Sequence, residues 1–425
     1  MPVVIPTDLE LLKSILTRDF QYFTDRGTYC NEKDDPLSGN LAFVSGKRWR
    51  TLRNKMSPTF STAKLKMMHN IIVNVAREFQ NYLEQFAKKK ETIEIKNIFL
   101  LFTTDVIGNC AFGIECNSFK KPNTEFRRIG KRLYEFTFFE AMRVIFSTMF
   151  QDFSRMLKMK IIKTDVAEFF MRFFKEIVEY REKNDIKRDD FLSLLMQIKN
   201  TGKLDSDSTG LGKITFEELV AQMYAIFNAS YETTASTLTL AVYELAQHQD
   251  IQEKAREEVN RILKKYNDEY TYEACMEMKY IDQIIKETLR KYPVIDYLLR
   301  LCGQDYSVPN TNHVIDKGTY IAIPVHAIHH DPEIYPDPEK FDPERFTEDN
   351  IKNRHPYAWL PFGEGPRNCI AMRLGMVQAK IGLASLLSKY RVNVSPRTVI
   401  PPVFNYGSFT LSPKDGMWIT LEMAS

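Results

Sequence analysis

A long apolar segment between Thr215 and about Gln249 constrains the fold of this chain more than any other feature. Its apolar residues occur on more than one face of the helix that the sequence predicts, and such a helix is stable only when other elements cover it. Thr215 and Glu218 form a capping box that marks where the helix begins. The sequence therefore predicts a buried central helix.

Helical periodicity also dominates much of the remaining sequence. Apolar residues recur at helical spacing in segments that begin near residues 61, 97 and 165, and Thr7 and Glu10 predict a capping box at a short first helix. From Pro293 to Pro361, proline, aspartate and short apolar pieces indicate small strands and an irregular meander. We expect a mainly α protein with a minor β part, folded as a single domain over residues 1–425.

The balance of charges and the scatter of cysteines argue against several classes of function. The 425 residues include 58 Lys and Arg and 55 Asp and Glu, a net charge of +3, so no overall field favours nucleic acid. Six cysteines occur without a CxxC pair or a Cys/His ligand spacing, which argues against a disulfide scaffold and a zinc finger. The sequence contains no apolar run of about eighteen residues or more, so it predicts no transmembrane helix.

Cys369 lies in the segment PFGEGPRNCIAMRLG, after a turn that contains Gly363 and Gly365 and before a helix that begins near Ile370. The positive end of that helix and the N–H groups of the turn favour a thiolate. A thiolate suits a metal ligand or a cysteine nucleophile, and a buried structural cysteine is the ordinary alternative. An isolated cysteine leaves these three interpretations open.

Two further pairs of residues have spacings that can carry chemistry. Glu287 and Arg290, in KETLRKYP, lie three apart on one helical face, although most such pairs are exposed and stabilise a protein by less than about 1 kcal/mol. Glu232 and Thr233, in AIFNASYETTAST, place an acid next to an alcohol inside the central helix. An ordinary buried helix is the alternative interpretation there.

These segments together resemble one known family. The pattern Phe362-x-x-Gly365-x-Arg367-x-Cys369 resembles the haem-binding loop of cytochromes P450, and four motifs follow one another in that family's order, within a resemblance that extends from about residue 7 to the end. The resemblance implies the cytochrome P450 fold, a helical bundle around haem b, with Cys369 as the axial ligand of the iron. Ala371 replaces the last residue of the family's Cys-x-Gly, so we expect its methyl group to crowd the haem modestly.

The resemblance also implies a structural ion-pair set. Glu287 and Arg290 match the family's Glu-x-x-Arg, which pairs with the arginine of the PERF element, here Arg345, and fixes geometry near the cysteine loop. His329 and His330 lie in a segment that resembles the family's meander. We therefore interpret these histidines as structural rather than as metal ligands.

Glu232 and Thr233 match the family's oxygen-activation motif, and the resemblance implies that they are the catalytic residues. In that motif, at a distortion of the helix, an acid beside an alcohol relays protons for the cleavage of dioxygen. Ser230 replaces the usual glycine of the motif. We expect this serine to change the coupling efficiency rather than to abolish function.

The cofactor-binding residues that the resemblance implies, besides Cys369, are Trp49, Arg53, Arg300, Phe362 and Arg367. The arginines among them are expected to bind the haem propionates, because guanidinium groups form charge-assisted, often bidentate bonds with carboxylates. Arg26 is a further candidate. The other cations near Trp49 form either a basic face for an acidic reductase or a solvated helix face: Lys47, Arg48, Arg50 and Lys55.

The activity that the resemblance implies is that of a monooxygenase, which inserts one oxygen atom from O2 into a lipophilic organic substrate. Electrons come from NADPH through NADPH-cytochrome P450 reductase, with cytochrome b5 as an optional second donor. The expected location is the cytosolic face of the endoplasmic reticulum membrane, and no nucleic-acid partner is expected. The family, rather than a segment of this chain, implies the association with the membrane.

The phrases NEKDDPLSGNL, SPTFSTAKLKMM and CAFGIECNSF resemble the insect microsomal group of this family, which oxidises xenobiotics and hormones. Members of that group normally carry an anchor helix, a proline-rich hinge, a first helix and strands of the small β-sheet that we do not find here. The chain thus resembles an amino-terminally truncated form. Two alternatives stay open: a reductase-independent haem-thiolate isomerase or dehydratase, and a non-catalytic or haem-deficient remnant.

Overall fold

The computed structural model describes residues 2–188, 190–202, 212–405 and 410–424. The helices of these residues are α1 (Leu9–Lys13), α2 (Gly46–Met56), α3 (Thr62–Lys89), α4 (Ile95–Ile107), α5 (Glu125–Tyr134), α6 (Phe138–Met149), α7 (Gln151–Met156), α8 (Thr164–Lys183), α9 (Phe191–Thr201), α10 (Phe216–Gln247), α11 (Gln249–Lys265), α12 (Tyr272–Glu277), α13 (Lys279–Lys291), α14 (Val325–His329), α15 (Glu348–Asn353) and α16 (Met372–Lys389). The strands are β1 (Val3–Val4), β2 (Ile93–Glu94), β3 (Leu298–Leu301), β4 (Tyr306–Ser307), β5 (Val314–Ile315), β6 (Tyr320–Ile323), β7 (Tyr390–Val394) and β8 (Trp418–Met423).

The mainly α class with a minor β part is confirmed, and helix α10 is the predicted central helix. It is buried along most of its length and packs against α4, α13 and α16. Its predicted capping box is present, since Thr215 and Glu218 each accept a hydrogen bond from the other's backbone N–H. Burial of one large apolar side chain contributes about 1.5–3 kcal/mol. Many such side chains on one helix therefore hold α10 at the centre of the protein.

Helix α1 begins differently from the prediction that Thr7 caps it. The N-cap is Asp8, whose carboxylate accepts a hydrogen bond from the N–H of Leu11 at 2.7 Å. Aspartate caps a helix at least as well as threonine, so the residue next in sequence takes the position. Glu10 does not complete a capping box and instead binds His355 at 3.0 Å.

Three small sheets lie beside the helices. Strand β1 pairs in parallel with β6, which pairs antiparallel with β3, whereas β8 lies between β2 and β7, and β4 pairs with β5. Val3–Val4 therefore contributes a strand to a small sheet of this chain, and the resemblance to an amino-terminally truncated form stays a prediction. Strand β3 matters most for the site, because Arg300 is its buried residue.

One stretch of the described residues, Ile95–Phe112, is long and apolar enough by composition to cross a membrane, with a mean hydropathy of 1.2. It comprises α4 and the turn that follows, and 83% of it is buried inside the protein. Helix α4 packs along the central helix α10. An apolar helix that protein covers on all sides is a core helix, and this stretch fits that description.

Candidate active site

The loop that carries Cys369 is shaped by close backbone contacts. Gly365 has a φ of +73°, and a Cβ at this position would lie 1.9 Å from the carbonyl oxygen of Leu16, so only glycine fits. The N–H of Cys369 donates to the carbonyl oxygen of Phe362 at 2.8 Å. These contacts close the loop ahead of α16 and fix the position of the thiol.

The thiol of Cys369 is accessible, but the surrounding protein also desolvates it. The residue counts as exposed, whereas burial among protein atoms is the largest cause that raises the pKa of the thiol. A group that is both accessible and desolvated lies in a recess. The N–H of Ala371 and the cations Arg53 and Arg26 act in the opposite direction and favour the thiolate.

Ala371 is the N-cap residue of α16, with φ −99° and ψ 14°. This backbone conformation is open to any L-residue, so the fold of the loop does not need the glycine that the family usually has here. The hydrogen bond from the N–H of Ala371 to Cys369 is also independent of the side chain. The expected crowding of the haem by its methyl group stays a prediction.

Four arginines form one electrostatic cluster around the cysteine loop: Arg26, Arg53, Arg300 and Arg367. Burial, and then the neighbouring Arg26, lower the pKa of both Arg300 and Arg367 to about 9. Asp25 lies 3.4 Å from Arg367, and among the described residues the buried Nε of Arg300 has no hydrogen-bond partner. Buried cations that repel one another indicate a site for an anionic group.

Trp49 and Arg53 lie one turn apart on α2 and both contact the cysteine loop. The guanidinium of Arg367 lies over the ring of Trp49 at 4.1 Å, a cation–π geometry. Arg53 donates to the backbone oxygen and to the side-chain oxygen of Asn368, at 2.9 and 2.8 Å. The sequence motifs did not predict a role for Asn368, although its position directly ahead of Cys369 was a signal.

The predicted ion-pair set does come together. The guanidinium of Arg290 donates twice to Glu287, at 2.7 and 2.9 Å, and both side chains are completely buried. Arg345 lies 3.5 Å from the same carboxylate, and the N–H of Asp342 donates to it at 2.9 Å. Burial raises the pKa of Glu287, and Arg290 offsets part of that increase. The set joins α13 to the segment around Arg345.

The predicted catalytic pair is divided between two environments. The carboxylate of Glu232 is nearly buried and forms an ion pair with Lys96 at 2.6 Å, and Lys96 also donates to the hydroxyl of Ser412 at 2.5 Å. The hydroxyl of Thr233 donates to the carbonyl oxygen of Ala229 at 2.6 Å. Each member of the pair therefore has a different partner. A lysine inside the apolar stretch of α4 was the signal that could have revealed this contact.

One face of α10 remains accessible at this level of the helix. Ala229 is exposed, and Ser230 and Thr233 are half-buried, whereas nearly all residues that follow along α10 are buried. The helix is continuous here, with the back-bond of Thr233 to Ala229 in place of the expected distortion. Residues 229 and 233 lie one turn apart, so they present one small accessible surface on an otherwise covered helix.

These donors fit a haem. Within the described residues no group of three or more His, Cys, Asp or Glu is placed to hold a metal ion, so Cys369 would bind an iron that a macrocycle already chelates. The arginine cluster offers guanidinium groups in excess of nearby carboxylates, which suits two propionates. Thiolate and arginines approach one another closely enough for Arg26 and Arg53 to affect Cys369.

Comparison with known proteins agrees with this chemistry. The sequence model of the family described as Cytochrome P450 matches residues 1–420. The chain is 42% identical over 435 residues to "Probable cytochrome P450 6a14" of Drosophila melanogaster, and this match covers 98% of the chain and 84% of that relative. It is 43% identical over 422 residues to cytochrome P450 6a9 of the same species, covering 99% and 84%. It is 43% identical over 425 residues to cytochrome P450 6A1 of Musca domestica, covering 99% and 83%. The chain therefore belongs to the cytochrome P450 family of haem monooxygenases.

Proposed function

We propose that this chain is a haem-thiolate monooxygenase that takes electrons from NADPH through NADPH-cytochrome P450 reductase, with cytochrome b5 as an optional donor, and oxidises lipophilic organic compounds at the endoplasmic reticulum membrane. The observation that carries the proposal is the desolvated thiol of Cys369 next to Arg26 and Arg53, in a cluster that also includes Arg300 and Arg367. A thiol next to a cationic site that can bind two carboxylates suits one cofactor, haem b.

In this proposal, Cys369 would hold the iron, and the haem, when bound, would supply the chemistry by which O2 is reduced and one of its atoms is inserted into the substrate. The N–H of Ala371 and the charges of Arg53 and Arg26 stabilise the negative sulfur. Arg300 and Arg367 are desolvated and would hold the propionates by charge-assisted hydrogen bonds. Phe362 positions the thiol through its carbonyl oxygen.

Protons reach the reaction from the α10 side. Thr233 carries its hydroxyl proton on the half-buried face of α10, and Glu232 holds a negative charge against Lys96 behind that face. In the structure the carboxylate and the hydroxyl have separate partners, Lys96 and the carbonyl oxygen of Ala229, so each residue would act on the proton path from its own position. Proton transfer by such a pair contributes typically about 10²–10⁴-fold to a rate.

An exposed apolar surface on α6 and α7 supports a membrane location and a lipophilic substrate. Its residues recur at helical spacing over both helices: Phe138, Met142, Ile145, Met149, Phe153 and Met156. Phe138 and the neighbouring Phe139 are 74% and 83% exposed. An apolar stripe on a surface helix is typical of contact with the interface of a lipid bilayer.

Some of the basic residues on α2 are placed to contact an acidic electron donor. Lys47 and Arg50 are exposed, whereas Lys55 is buried and donates to the carbonyl oxygen of Lys213. Arg48 is engaged by carboxylates on both sides. The proposed reductase surface on this helix therefore uses Lys47 and Arg50, because no carboxylate in the described part of the chain forms an ion pair with them.

The test is a ferrous–CO difference spectrum of the purified chain, followed by product formation with reductase and NADPH. A Soret band at the thiolate position that Cys369→Ser abolishes is expected. Cys30→Ser is the matched control, because a hydroxyl can still donate to the carbonyl oxygen of Ser38. A band at the histidine-like position would favour a non-catalytic haem protein, and no band would favour a haem-deficient remnant. Product formation without NADPH would favour the isomerase or dehydratase.

A further inference from the structure

His329 is a completely buried histidine to which the proposed function gives no role. It is the last residue of α14, and its ring lies between two backbone groups. The ring Nδ1 lies 3.2 Å from the carbonyl oxygen of Arg290, and the N–H of Leu360 donates to the ring Nε2 at 2.8 Å. The ring therefore bridges the end of α13 and the segment that leads into the cysteine loop.

These contacts fix the tautomer and the charge of the ring. A backbone N–H can only donate, so Nε2 accepts from Leu360 and the hydrogen of the neutral ring is on Nδ1, directed at Arg290. Burial, and then the charge of Arg290, lower the pKa of His329 to about 3. The ring is therefore neutral at every pH at which the protein works, as a fixed donor–acceptor bridge requires.

The bridge belongs to a path in which hydrogen bonds are joined by short stretches of backbone. The guanidinium of Arg290, held by Glu287, donates to the carbonyl oxygen of His329 at 3.1 Å, and the carbonyl oxygen of Arg290 contacts the ring of His329. Beyond Leu360, the N–H of Gly363 donates to the Leu360 carbonyl oxygen at 3.0 Å, and the N–H of Cys369 donates to that of Phe362 at 2.8 Å. The path joins the buried ion pair to the cysteine.

The carbonyl oxygen of Arg290 is also one that the helix itself leaves free. Arg290 is the second-last residue of α13, and the last four carbonyl groups of a helix have no partner within it. The N–H of Leu360 is buried as well and belongs to no described helix or strand. One imidazole ring thus satisfies two buried backbone groups, each of which is costly to leave unpaired.

We propose that His329 is a positioning residue, whose ring links the carbonyl oxygen of Arg290 to the N–H of Leu360 and thereby sets the position of Cys369. This inference rests on the proposed function in one respect, namely that Cys369 is the iron ligand. His329 is completely buried, and both of its ring nitrogens contact protein backbone. It acts through the backbone of the loop, and its effect is on how completely the thiolate binds the iron.

Two substitutions separate the two hydrogen bonds. His329→Gln places an amide oxygen near the position of Nε2 and keeps an acceptor for Leu360, whereas His329→Asn places an amide nitrogen near Nδ1 and keeps the donor for Arg290. His329→Phe removes both at similar volume. His330→Gln is the matched control, because the contact of its ring Nδ1 within the described residues is local, to the carbonyl oxygen of His326 one turn earlier.

Two measurements on the haem-loaded protein test the proposal: amide hydrogen exchange of Leu360 and Cys369, and the fraction of the ferrous–CO signal at the thiolate position. In His329→Asn and His329→Phe we expect Leu360 to exchange about tenfold faster, as for a buried donor without an acceptor. Exchange at Cys369 should also accelerate, and the thiolate fraction should fall. His329→Gln should retain more of both signals, and His330→Gln should match the wild type.

The proposal is overturned if all three His329 variants lower the unfolding temperature equally and keep the wild-type thiolate fraction, since the ring would then be a general stability element. Unchanged exchange at Cys369 in His329→Phe would likewise contradict it. A wild-type protein without a thiolate band would contradict the proposed function instead. In that case the exchange rates of Leu360 and Cys369 still decide whether the ring links α13 to the loop.

Discussion

Replacing Glu287 by Gln removes one negative charge from a place that water does not reach and keeps the size of the side chain. The carboxylate now accepts two hydrogen bonds from Arg290 and one from the N–H of Asp342, and it lies 3.5 Å from Arg345. A neutral amide can satisfy some of these donors but cannot balance two guanidinium charges. Arg290, with no exposed surface, is left as an uncompensated buried cation.

The magnitude follows from that burial. Removing one partner of a buried ion pair costs about 3–5 kcal/mol, a large part of the roughly 5–15 kcal/mol that stabilises a folded protein. We expect the free energy of unfolding to fall by about 3–5 kcal/mol and the haem content to fall with it. Turnover per bound haem should change little, because Glu287 lies in the joint between α13 and the segment around Arg345, away from the accessible face of α10.

The assay is urea unfolding of the haem-loaded protein, followed by circular dichroism for the fold and by Soret absorbance for the haem. Glu84→Gln is the control, because Glu84 and Lys88 form an exposed pair on one helix and its loss should leave the unfolding midpoint unchanged. A double-mutant cycle with Arg290→Met measures the coupling, which should reach about 0.5–3 kcal/mol. Additive effects, or a loss below about 1 kcal/mol for Glu287→Gln, would refute the reasoning.

Three further predictions concern the cysteine loop, the partner of Glu232, and the ion pair of Glu140 with Arg132 at the start of α6. Gly365→Ala should prevent normal haem loading, since the added Cβ would meet backbone atoms and the φ at this position is positive. Gly375→Ala is the control, because a Cβ there meets open space within α16, and it should be tolerated or stabilise the protein by up to about 1 kcal/mol. The haem content per protein distinguishes the two variants. Lys96→Met should leave haem content intact but change the amount of product formed per NADPH, because Glu232 loses its ion-pair partner; an unchanged yield would exclude Glu232 from proton delivery. Glu140→Gln should destabilise the protein, and the difference from wild type should be largest above pH 4.5. A hydrogen bond from an arginine lowers the pKa of Glu140 to about 2, so the difference should shrink as the pH falls toward about 2. Urea unfolding midpoints measured over that pH range check the sign.

Features confined to one segment could be predicted from the sequence. The capping box of α10 depends on residues three apart, and Glu287 and Arg290 share one turn of α13. The cysteine loop is contiguous, so its motif was visible as a run of letters. The one error at a helix start, Thr7 in place of Asp8, arose because neighbouring residues compete for the same N–H groups.

Contacts between distant segments could not be predicted in the same way. Lys96 and Glu232 are 136 residues apart, and Arg53 and Asn368 are 315 apart. Which charged group meets which depends on how α4 lies along α10 and how α2 lies against the cysteine loop. Sequence spacing carries no information on either arrangement, because helix packing depends on the shapes of whole faces.

The sequence by itself determined the class of fold, the central helix and the cysteine that could hold a cofactor, since each depends on local periodicity or on adjacent residues. Only the tertiary structure decided that Glu232 is paired with Lys96, that Arg53 holds Asn368, and that the ring of His329 bridges α13 and the cysteine loop. The physical reason is that the state of a buried polar group depends on its neighbours in space and on the loss of water around it. Both of these arise only when the chain has packed.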